Sequence, residues 1–145
     1  MKALCRFNDA ASLADHQQGR FGSVPAHYDI TIGRDYVVVS MGIWETVLQI
    51  LIRSDLGLPT WCPAALFEIV QQPIPDHWHF TLRDGAQHSG RDLWTRWVAQ
   101  WGYEELIVQE DHSDSLIERH PDALAIFNLE VAHADAAEQD LATDH

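Results

Sequence analysis

Five runs within residues 28–83 decide the fold: Tyr28–Gly33 (YDITIG), Asp35–Met41 (DYVVVSM), Val47–Arg53 (VLQILIR), Leu66–Gln71 (LFEIVQ) and His77–Arg83 (HWHFTLR). Apolar and polar residues alternate in them with the period of a strand that buries one face. In Val47–Arg53, Leu48, Ile50 and Ile52 share one side while Gln49 and Arg53 share the other. In His77–Arg83, Trp78, Phe80 and Leu82 oppose His77, His79, Thr81 and Arg83. Tyr36 to Val39 are all β-branched or aromatic, side chains that pack well on a pleated surface. Short strands following one another through close turns predict an antiparallel sheet.

Working outward, Lys2–Phe7 predicts a further strand with Ala3, Cys5 and Phe7 on one side. Residues 8–27 form a connection in which Gly19, Gly22 and Pro25 rule out a long helix. Trp44, Glu45 and Thr46 fall near a hairpin tip, so Trp44 is either folded back on the sheet or exposed as a contact. Gly57, Pro59 and Pro63 predict an irregular loop over 55–63, clamped to the sheet by Trp61. The character changes near residue 85. Leu93, Trp94, Trp97, Val98 and Trp101 recur as one apolar stripe and predict a helix, with Ser89 as N-cap and Gly102 as stop. Pro121 opens a last helix with Leu124, Ile126, Phe127 and Val131 on its apolar face. Beyond Ala134 there is little to bury, and fraying is expected. The expected architecture is α+β: a small antiparallel β-barrel or curled sheet followed by C-terminal helices. One domain spans 1–134, β-rich over 1–83 and helical over 90–134, with an acidic tail at 135–145.

The chain has 145 residues, a hydrophobic content of 46% and six Trp, which excludes wholesale disorder. Its formal net charge is −13. Residues 1–100 hold eight bases and ten acids, whereas residues 101–145 hold one base, Arg119, and twelve acids. Such a balance repels nucleic acid, whose phosphates need Lys and Arg, and disfavours an anionic membrane surface. It attracts a basic protein partner. No run reaches the roughly 20 apolar residues of a membrane span. The opening MKALCRFND lacks the apolar core of a secretory signal, so a cytoplasmic location is expected. Cys5 and Cys62 follow no metal spacing and read as reduced packing thiols. No phosphate-cradling Gly-rich loop, His-Glu-x-x-His or Gly-x-Ser-x-Gly is present, so neither a cofactor nor a catalytic residue is predicted.

The pieces Asp29–Gly33, Tyr36–Val38, Trp61–Ala64, Leu66–Val70, Trp78–Phe80 and Tyr103–Leu106 resemble those of a family of small bacterial immunity-type or uncharacterised proteins with an SH3-like core. They span most of residues 28–106 and are mainly structural residues. The chain departs from the family's pattern in its three Trp at positions 94, 97 and 101. The resemblance implies a non-catalytic cytosolic protein that neutralises a toxin.

In that reading the acidic last third covers a basic surface of the toxin. Glu104, Glu105, Glu110, Asp111, Asp114 and Glu118 supply steering and ion pairs, and Trp44 or Trp101 the apolar anchor that aromatic residues often form at interface centres. A second reading is an SH3-like module that binds a peptide or protein through Trp44 and Trp61, with the acids as solubiliser. A third is a metal-assisted hydrolase using His77 and His79, neighbours on one strand face. A metal needs three or four converging ligands, and only Glu68 on the adjacent candidate strand offers to join them.

Overall fold

The computed structural model describes residues 1–14, 27–71, 73–83, 97–109 and 111–143, with residues 71 and 141–143 described in their backbone alone. Eight strands and three helices follow one another along these residues: β1 (Lys2–Cys5), β2 (Asp35–Val37), β3 (Ser40–Trp44), β4 (Val47–Arg53), β5 (Pro59–Pro63), β6 (Phe67–Gln71), β7 (His79–Leu82), β8 (Trp97–Gly102), α1 (Glu104–Val108), α2 (His112–Ile117) and α3 (Pro121–Thr143). All pairings are antiparallel. One sheet runs β2-β1-β6 and the other β5-β4-β3-β8-β7. Neither closes, so the fold is α+β with curled sheets and C-terminal helices rather than a barrel.

The molecule has three layers because β4 buries both faces. Ile50 and Ile52 face the smaller sheet and pack with Ala3, Cys5, Tyr36, Cys62, Leu66 and Phe67. Leu51, on the other face, packs with Val37, Val39 and the helical residues Leu106, Leu116, Phe127 and Val131. Val38 and Val39 carry the chain from one sheet to the other and point into opposite cores. Cys5 and Cys62 are free, buried thiols, and burial raises the pKa of both, which suppresses the reactive thiolate.

Three elements differ from the sequence prediction. Trp97–Gly102, predicted as helix, is a central strand between β3 and β7. The i, i+4 Trp stripe fits a helix, but the two neighbouring strands need a partner for their backbone groups, and tertiary pairing overrides local pattern. The helix's proposed N-cap, Ser89, with Leu93 and Trp94, lies outside the described residues. Pro59–Pro63, predicted as loop, is the edge strand β5. Its two prolines stand at the strand ends, and an edge strand tolerates a missing N–H. Tyr28–Gly33, predicted as strand, keeps its alternation without a ladder. Tyr28 and Ile30 are buried, yet the Tyr28 N–H donates to Asn8, the Ile30 N–H to Tyr28 and the Thr31 N–H to the Tyr36 hydroxyl. Asp55 pins this loop, accepting from the Thr31 hydroxyl at 2.6 Å, the Tyr36 hydroxyl at 2.7 Å and Arg34 at 2.8 Å, and these bonds hold its carboxyl below the ordinary value.

The helices are shaped by their ends. α2 stops in a Schellman motif: the His120 N–H donates to Ser115 and the Arg119 N–H to Leu116, with Arg119 in the left-handed region at φ 59°. Pro121 then opens α3, which continues past Ala134, where fraying was expected, to Thr143. Ala123, Phe127, Val131 and Ala134 form its inner stripe, and the next place on that stripe holds Glu138. Glu138 is buried and meets the α-amino nitrogen of Met1 at 2.8 Å. Among the described residues no helix is long and apolar enough to cross a membrane.

Candidate functional site

The two sheets are unequal, and that mismatch creates the site. The three-stranded sheet covers the five-stranded one over β4 and β5, where Ile50, Ile52 and Cys62 are buried. Alternation carries the same face across β3, β8 and β7. Ile50, Met41, Trp101 and Phe80 form one cross-strand row, and Leu48, Ile43, Ala99 and Leu82 the next. The described residues of the smaller sheet do not extend over this half, although Ala99 is buried within it. Phe80 is 52% exposed, Leu82 75% and Leu48 42%, while Ile43 and Trp101 are half-buried. Phe80 lies against Trp101 with ring centroids 4.8 Å apart at 36°. A contiguous apolar surface of aromatic and aliphatic side chains on adjacent strands is the usual mark of an interaction site.

The opposite face of the same strands explains why Phe80 and Leu82 point outward. Arg83 donates through Nε to Gln100 Oε1, and its Nη2 reaches the Ile107 carbonyl at 3.4 Å. These bonds lock the polar side of β7–β8 under α1 and leave the apolar side to solvent. The sequence placed Trp78, Phe80 and Leu82 on one side. It carried no sign that the smaller sheet stops short of them.

The predicted site residues divide. Trp101 sits in the exposed face. Trp44 does not serve as an anchor: it is fully buried at the end of β3, edge-on to Trp97 with centroids 5.3 Å apart. The two-residue turn puts Glu45, at φ 53°, at the hairpin tip instead. Glu104 is exposed at the start of α1, three residues after Trp101. Glu105 is half-buried and turned toward Tyr103 and His112, on both of which its charge acts. Asp111, Asp114 and Glu118 are exposed at α2 and its ends, away from β7 in sequence and layer. Glu110 lies outside the described residues.

Carboxylates meet in a second place that the sequence did not single out. A hollow of about 540 Å³ opens between α3 and the segment that leads into β7, with Asp76, His77, Trp78, Glu130, His133 and Glu138 on its wall. His77 Nε2 is 3.5 Å from Glu130 Oε2. One oxygen of Glu138 meets Met1, while the other, Oε2, is buried with no hydrogen-bond partner among the described residues. The wall thus combines three carboxylates with the Met1 amino group and two histidines. His79, in contrast, is exposed on β7 opposite Gly102, so His77 and His79 do not share a strand face. Among the described residues no group of three His, Cys, Asp or Glu can hold a metal ion.

No protein family, curated protein or solved structure matches this chain.

Proposed function

We propose that this protein is a non-catalytic binding protein of the immunity type, one that neutralises a cationic protein by holding it on the uncovered half of the larger sheet. The observation that carries the reading is the apolar face on which Phe80, Leu82 and Leu48 are exposed beside half-buried Ile43 and Trp101. Burying such a face against a partner contributes about 25 cal/mol per Å² of apolar area. The net charge of −13 selects the sign of that partner and speeds encounter with it. The hollow lined by Asp76, Glu130 and Glu138 beside the Trp78 ring is in keeping with the same sign.

The test is calorimetric titration with the product of the adjacent reading frame over a salt series, using wild type and the Phe80→Ser and Leu82→Ser variants. Both side chains are exposed, so the fold tolerates their loss. The expected result is at least about a tenfold loss of affinity in Phe80→Ser, as for a central aromatic contact, and weakening with salt in every variant. Binding unmoved by either substitution removes the sheet face from the reading. Salt-insensitive binding removes the electrostatic part, and no binding removes this partner.

A further inference from the structure

The far edge of the larger sheet carries a second cavity, of about 390 Å³, along β5. It lies between the pinned loop at Tyr28, the β4–β5 turn and the C-terminal end of α2. Its apolar surface comes chiefly from Leu58, half-buried Trp61 and Ile117. Its polar groups are His27, Asp29, Ser54, Thr60 and Arg119. Gln49 belongs to the wall too, but it is 1% exposed and offers a ligand almost no surface. Trp61 is backed by Trp97, at a centroid distance of 4.6 Å. Both sides are fixed before any ligand arrives. The Asp55 N–H donates to the Asp29 carbonyl at 2.9 Å, and the Schellman motif sets the position of Arg119. A concave site of this size, with an aromatic surface and a few polar groups, has the anatomy of a small-molecule site.

Two of the polar groups carry opposite full charges on different elements: Asp29 in the loop before β2 and Arg119 at the end of α2. Both side chains are exposed, and among the described residues neither makes an ion pair. Arg119 is the one base beside twelve acids in residues 101–145. It holds a left-handed backbone at φ 59°, at a helix-end position usually given to glycine. A long side chain kept where the backbone disfavours it, and unpaired amid acids, points to a use beyond the fold. The complement of the two charges is a molecule that carries both a carboxylate and an ammonium. The guanidinium fork suits the carboxylate, and the Asp29 carboxylate accepts from the ammonium. Such a zwitterion has no net charge, so the −13 of the chain does not repel it as it would a simple anion. Trp61, Leu58 and Ile117 offer the rest of the molecule an apolar bed.

We propose that this cavity is a binding site for a free α-amino acid with a large apolar or aromatic side chain, its carboxylate on Arg119, its ammonium on Asp29 and its side chain packed on Trp61. The site is at the edge of the sheet opposite β7, so it does not overlap the apolar face.

The test is a ¹⁵N NMR titration of the full chain with L-phenylalanine, following the Trp61 indole N–H and the backbone amides of Asp29 and Arg119. Two control ligands keep the ring and lack one charge each: 3-phenylpropionate has no ammonium, and 2-phenylethylamine no carboxylate. Saturable shifts of these signals in the millimolar range are expected with phenylalanine, and binding at least about tenfold weaker for either control, as the loss of one charge-assisted hydrogen bond implies. Arg119→Gly suits the left-handed backbone and so keeps the folded spectrum. It is expected to lose the response to phenylalanine, and Asp29→Asn to weaken it at least about tenfold. The proposal is overturned if phenylalanine leaves these signals unmoved, if either control binds as tightly, if either variant responds like wild type, or if the shifts map to Trp78 instead. The comparison of the three ligands on wild type decides the matter even if a variant does not fold.

Discussion

Tyr103 and His112 meet in the helical core, with the phenol oxygen 2.7 Å from Nε2 and the rings edge-on. Both are buried. Burial pushes the Tyr103 hydroxyl well above its ordinary value, assisted by the charges of Glu130 and Glu105. It holds His112 below the ordinary 6.5, against an opposing pull from Glu105. The hydrogen bond is thus one between neutral groups. Because the folded pKa of His112 is depressed, the unfolded chain takes up the proton first. Its contribution to stability is complete above about pH 6.5 and is lost as the pH falls below that value. Urea unfolding of wild type and His112→Gln from neutral pH to about pH 5.5 is expected to show the gap between them narrowing with acid. A constant gap means that His112 does not titrate differently in the two states. Nothing in the sequence singled out this pair, because a tyrosine and one of nine histidines stand nine positions apart, and only the turn between α1 and α2 brings them together.

At the scale of elements, β8 is the most instructive. Trp97 and Trp101 are spaced as a helix would have them, yet one ring packs on Trp44 and Trp61 and the other meets Phe80 on the opposite sheet face. A bulge lets this happen: Ile43 pairs with Ala99, but Trp44 pairs with Trp97, so Val98 is passed over. Two-residue alternation was legible for β4 and β7, whose patterns are regular. It was illegible for β8, where the bulge resets the phase. The same strand requires Gly42 on β3. A Cβ there would stand 2.7 Å from Trp97 Cζ3 and 3.0 Å from the Ala99 carbonyl oxygen. Gly42→Ala is expected to destabilise by about 1–3 kcal/mol through overpacking, measurable by denaturant titration, with the Trp signals in near-UV circular dichroism displaced. Unchanged stability would mean that the Trp97 ring gives way freely. The prolines of β5 misled for the complementary reason. They break a central strand, and only the sheet order reveals that this one is at an edge.

For the whole molecule, the fold class followed from the strand runs and the last helix, whereas the candidate face depended on how far one sheet extends over another, which no local pattern encodes. Charge acts at this scale too. With twelve acids and one base in residues 101–145, the helical layer repels itself. Moderate sodium chloride screens exposed charges beyond about 8–10 Å, so the thermal midpoint is expected to rise with salt; a midpoint that falls would mean that ion pairs outweigh the repulsion. The sheets also impose an order of events. β1 pairs with β6 from Lys2 to Gln71, and β3 pairs with β8 from Ser40 to Gly102. On a ribosome, β1 can meet β2 early but must wait for residues 67–71 before β6 exists, and β3, already paired with β4, waits longer still for β8. Assembly dominated by such distant pairings is slow, and in that interval the nascent chain displays the strand edges and aromatic rings that a chaperone would grasp.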